Sequence, residues 1–209
     1  HQYTSHMTGI ISAMANNMLQ GSFALVLAGL GAVLSFLAGA ACTAILVNYA
    51  RRQHARMAGS TPLLLEALLL LGFGLLGARL THLEGMFVPF TVMLLCFMMG
   101  LQNALITKLS NAEIRTTHVT GIVTDIGIEV GKFLYWNDPR HTERPVRANP
   151  VRLRLLTILL SAFFLGGASG ALGFARMGYA ACVPLALVLA LLAAAPLLQD
   201  LLLARRRTS

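Results

Sequence analysis

Charge is what this chain has least of. Asp, Glu, Lys and Arg make up 11% of its 209 residues, against about 25% in soluble domains. So few charges cannot cover a water-facing surface, so the expected surroundings are a lipid bilayer. Cysteine is nearly absent too. Cys42, Cys96 and Cys182 each sit inside an apolar run. An odd number in such settings excludes a disulfide framework and leaves packed free thiols. There is no CxxC or HxxxH spacing, so no metal site is expected. There is no GxSxG, HExxH or paired-Cys motif, so no enzyme activity and no cofactor is expected. The basic residues do not form a face on a soluble fold with supporting aromatics, which excludes nucleic acid as a partner. The start lacks a charged segment followed by a short apolar run and a cleavage site, so no signal peptide is read. The first residue is His1, and the expectation is that a natural start has been removed.

What is present is apolar: 56% of the residues are hydrophobic. Met7–Gln20 reads as a short helix, too polar at Asn16 and Asn17 to be an ordinary span. Phe23–Ala50 is a full span, since a hydrocarbon core of about 30 Å needs roughly 20 helical residues. Its Gly29, Gly31 and Gly39 read as packing positions. A second span runs from Thr61-Pro62 to about Leu80. Its Glu66 and Arg79 read as end residues that snorkel to the headgroups. A third span runs from Met86 to about Thr107, with Met93, Cys96, Met98 and Met99 as adaptable packing. Gln102 and Asn103 lie inside it, and amides are costly to bury unpaired, so they bridge helices or face a cavity. Two further spans, Leu155–Ala175 and Met177–Gln199, follow a Pro- and Arg-rich linker.

Between them lies an amphipathic helix of about four turns, Val119–Leu134. Its polar stripe is His118, Gly121, Asp125, Glu129 and Lys132. Asp125 and Glu129 are i, i+4 neighbours, so partial burial is expected to push at least one carboxyl upward, with Lys132 offsetting this. The stripe is either an intramembrane functional site or a solvated face.

Charge placement sets the topology. With Arg51–Arg56 inside, every basic cluster, including Arg140–Arg154 and Arg205–Arg207, falls on the cytoplasmic side only if Val119–Leu134 does not cross. That helix is then interfacial or re-entrant, and the C-terminus is cytoplasmic.

A motif recurs. His6-Met7-Thr8-Gly9-Ile10 matches His118-Val119-Thr120-Gly121-Ile122, and Phe36-Leu37-Ala38-Gly39-Ala40 matches Phe164-Leu165-Gly166-Gly167-Ala168 in the same order. The two copies lie on opposite faces, which points to an inverted duplication. Residues 1–83 form the first repeat and 84–209 the second, within one membrane domain. The expected fold is all-α: a polytopic helical membrane protein whose repeats each have three spans plus a short re-entrant or interfacial helix. On this expectation the first of these spans would lie ahead of His1.

Gly100-Leu101-Gln102-Asn103-Ala104, Arg115-Thr116-Thr117-His118-Val119-Thr120-Gly121 and Thr124-Asp125-Ile126-Gly127, with His6-Met7-Thr8-Gly9, resemble the YoaK-like family of bacterial integral membrane proteins, a domain of unknown function. The resemblance covers nearly the whole chain. It implies a bacterial cytoplasmic (inner) membrane protein with about six spans, one of them ahead of the first His-x-Thr-Gly, and it implies no activity.

The two copies differ chemically. Where the second carries Asp125 and Glu129, the first has Ala13 and Asn17. A coupled transporter would use such a difference. The leading expectation is a small-solute transporter or channel with its site between the two His-x-Thr-Gly segments. His118, Asp125 and Glu129 would couple, with His6, Asn17, Gln102 and Asn103 lining the path. Thr8 and Thr120 would line it or cap their helices. The alternative is a non-transporting scaffold or partner-binding subunit that uses the basic linker. The expected partners are lipid and an unidentified solute or ion, and a homo-oligomer stays open.

Overall fold

The structure, a computed structural model, describes residues 4, 6–53, 59–80, 84–109, 119–137 and 146–208. Among these there are seven α-helices and no strand: α1 Met7–Leu19, α2 Phe23–Gln53, α3 Ser60–Leu80, α4 Glu84–Leu109, α5 Val119–Leu134, α6 Pro150–Met177 and α7 Cys182–Thr208. A short 3-10 helix, Gly178–Ala181, joins the last two. The apolar stretches Phe23–Arg52, Pro89–Leu109 and Pro150–Pro196 are long enough to cross a membrane, and Ser60–Leu75 is a shorter apolar helix. The chain is thus a polytopic helical membrane protein, as its composition implied. α5 has 16 residues, about 24 Å of helix, which is short of the roughly 30 Å hydrocarbon core.

The chain forms two compact units. Residues 1–114 with 174–209 make the first, and residues 115–173 the second.

In the first unit α2 and α4 lie side by side and parallel. Gly31 meets Met93 near one end, Thr43 bonds Leu101 in the middle, and Arg51 bonds Lys108 at the other end. Two glycines allow this. A Cβ on Gly39 would collide with the Phe97 carbonyl, and one on Gly100 with the Phe36 carbonyl. Each helix therefore presents bare backbone to the other, the close approach that small residues permit in lipid. Gly29 likewise receives the side chain of Met14, seating α1 on α2. The packing expectation for Gly29, Gly31 and Gly39 holds.

α3 runs antiparallel to α4, with Leu63 against Val47 and Leu105. Its far end is docked by the turn before α7. Gly74 lies against Cys182, and Gly77 against the Tyr179 ring. Tyr179 also makes edge-to-face contacts with Phe73 and Phe174, each with ring centroids 5.4 Å apart. Gly178, at φ 56°, supplies the left-handed residue that this turn needs.

In the second unit α5 lies against the start of α6. Asn149 caps α6: its Oδ1 accepts from Arg152 N at 3.0 Å, and Pro150 takes the first helical position. Asn137 closes the connection by exchanging two hydrogen bonds with the Val146 backbone, at 2.9 and 3.0 Å. The three cysteines are free thiols, as expected.

Candidate functional site

The polar centre of the first unit is Glu66. It lies six residues beyond Ser60, about 9 Å along the α3 axis, and only 5% of it is exposed. The end-residue reading is corrected here. The side chain is buried on the face turned to α4 instead of extending to a surface. Gln102 explains the geometry: it lies six residues before Lys108 on the antiparallel α4, at matching depth. Its Nε2 donates to Glu66 Oε1 at 3.1 Å. Among the described residues, Glu66 Oε2 is buried with no partner, and Ser60 Oγ is a second buried oxygen without one. The Arg79 side chain lies outside the described residues.

The amide pair of α4 divides its work. Gln102 bridges helices. Asn103 donates back to Met99 O at 2.8 Å on its own helix and accepts, through its carbonyl, from Thr107 at 2.8 Å. Just before them, buried Thr43 of α2 donates to Leu101 O at 2.9 Å. In Gly100-Leu101-Gln102, one residue admits α2, the next is fully buried, and the third meets α3.

His6 stands at the N-cap of α1, exposed, and makes no side-chain capping bond. Its ring lies over Gly9, where a Cβ would strike Nδ1. The i, i+3 spacing of His-x-Thr-Gly thus provides a seat for the imidazole. Thr8 is exposed within α1 rather than capping it, and Asn17 is partly buried. In the second copy, His118 lies outside the described residues. Thr120 is inside α5, and its carbonyl accepts from Thr124 at 2.8 Å, so it does not cap either.

The stripe of α5 is engaged by α6. Asp125 pairs with Arg152 at 3.0 Å. Glu129, 1% exposed, takes Lys132 at 2.8 Å on Oε1 and the Asn149 N–H at 2.7 Å on Oε2. Each carboxylate has its own cation, and Glu129 also sits at the start of α6, where helix dipoles favour negative charge. Its carboxyl is held below the ordinary value, first by the Asn149 N–H, then by Lys132. The expected upward push is corrected for this residue, because the mutual repulsion of the two acids is answered by groups from α6 and by Lys132.

Sequence reasoning missed Glu66. The available signal was its depth, matched to Gln102 on the next helix.

A family model described as protein of unknown function (DUF1275) matches residues 1–195. The chain belongs to that family. Comparison with curated proteins and with solved structures gave no match.

Proposed function

We propose that this member of the DUF1275 family is a small-solute membrane transporter or channel. The observation that supports this most is Glu66, a buried acid in a membrane protein, bonded to Gln102 through one oxygen and left with the other unpartnered. Ionisable groups inside membrane helices are costly, and they mark solute or ion pathways. The polar lining then includes Glu66, Gln102 and Asn103 of the first unit. An inverted repeat, with its His-x-Thr-Gly copies and YoaK-like motifs, belongs to the same proposal and supplies the two halves that such transporters use.

The test is a flux screen in proteoliposomes with a panel of small solutes. Protein-dependent flux that Gln102→Leu abolishes is the expected result. Flux unchanged by Gln102→Leu removes the pair from the path. If no solute moves through correctly folded protein, the second reading prevails, a scaffold or partner-binding subunit. The bare-backbone seam of α2 and α4 at Gly39 and Gly100 favours that reading, because it is dry packing.

A further inference from the structure

We propose that Glu66 is a reversible proton-binding site, with Oε2 as the atom that takes the proton, and that this proton is the one coupled to solute movement. The coupling rests on the transport reading above, while the binding stands without it.

Glu66 Oε1 accepts from Gln102, and Oε2 is buried without a partner among the described residues. Among the described residues, no ion pair reaches Glu66. Among the described side chains, the titratable groups on the helices packed around α3 are Cys42, Tyr49, Arg51 and Arg52 on α2, Cys96 and Lys108 on α4, and Cys182 on α7, with Tyr179 in the turn before it. Arg51 donates to the Lys108 carbonyl at the helix ends, and Lys108 is about 9 Å along α4 from Gln102. A carboxylate so enclosed lacks a counter-charge, and burial of an unpaired charge costs far more than burial of a neutral acid. Protonating Oε2 forms one O–H bond, cancels the charge and leaves the Gln102 bond to Oε1 intact. The proton comes from water, and no other reactant is needed.

A metal cation fits the site less well. Hard cations take about six oxygen ligands. Glu66 supplies two and the Gln102 amide one. Thr43 Oγ1 is turned to the Leu101 carbonyl, and the Asn103 amide is turned to Met99. Ser60 Oγ, although unpartnered, lies about 9 Å along α3 from Glu66, too far to join one coordination shell. A proton needs a single oxygen, and the site offers one.

The test is infrared difference spectroscopy of the full chain in lipid nanodiscs as the pH is stepped. The expected result is a protonated-carboxyl C=O band that titrates, is lost in Glu66→Gln, and moves to higher frequency in Gln102→Leu as the bond to Oε1 disappears. Glu66→Gln is nearly isosteric, and Gln102→Leu keeps the acid, so a folding defect in one leaves the other informative. Identical spectra for wild type and Glu66→Gln, or a band that never titrates, overturn the site. Proteoliposome flux separates the two layers. Flux indifferent to an imposed pH gradient overturns the coupling. A titrating band in a protein that moves no solute upholds the proton site and overturns the transport reading.

Discussion

Glu66 and Gln102 depend on each other, and that dependence sets the residue-scale expectations. Removing Gln102 alone orphans Oε1 as well as Oε2, so Gln102→Leu is expected to lower stability by about 1–3 kcal/mol. Replacing both partners with Leu is expected to restore most of it, because no buried polar atom is then left over. Thermal melts of the two single variants and the double form the cycle, and additive losses would show the pair to be independent. Glu129 gives a second expectation. Its carboxyl lies below the ordinary value in the folded chain, so its contribution is full above the ordinary carboxylate range and disappears as the pH falls through the lowered folded value. Wild-type melts should therefore lose stability below about pH 4 more steeply than Glu129→Gln, which has no such charge to lose. Parallel curves would mean that the Asn149 and Lys132 bonds add nothing. The sequence showed the stripe but not its partners. Asp125, Glu129 and Lys132 were legible from helical spacing, whereas Asn149 and Arg152 meet them only through the fold. Glu66 was misread for a related reason. A helix that is apolar all round gives no sign of which face meets protein and which meets lipid.

The helices themselves were legible because bilayer thickness and period fix them. Val119–Leu134 has the bounds its spacing predicts, and α2, α3 and α4 match their runs to within a few residues. What spacing could not distinguish was one glycine from another. Gly39 and Gly100 each abut a backbone carbonyl, while Gly166, Gly167 and Gly170 of α6 have open space where a Cβ would go. Gly39→Ala and Gly100→Ala are thus expected to destabilise by about 1–3 kcal/mol, as overpacking does. Ala at Gly166, Gly167 or Gly170 should be neutral or slightly stabilising, since Ala is the better helix former. Thermal melts of these variants in one detergent check both halves. A large loss at Gly167 would show that α6 has a partner at that face.

At the scale of the whole molecule, charge and packing agree on one point. The positive-inside reading needs α2 and α4 to end on the same side, and Arg51 bonds the Lys108 carbonyl there, at 3.1 Å. Placing that side in the cytoplasm is the expectation from the basic clusters. Single cysteines in a cysteine-free background at Arg51 and Asn149 should both resist a membrane-impermeant thiol reagent added outside cells. Labelling of Asn149→Cys from outside would mean that α5 crosses. The depth of Glu66 also bears on how the protein is made. Synthesis delivers α3 before α4, so the acid reaches the insertion machinery while Gln102 is still in the ribosome. A charged group inside a membrane helix is costly to insert, and the apolar part of α3, Ser60–Leu75, is short. α3 therefore has reason to wait at the edge of the lipid until α4 arrives, and the two would enter as a hairpin. A nascent chain stopped before Gln102 should leave α3 uninserted, and one extended past Lys108 should carry both helices in together.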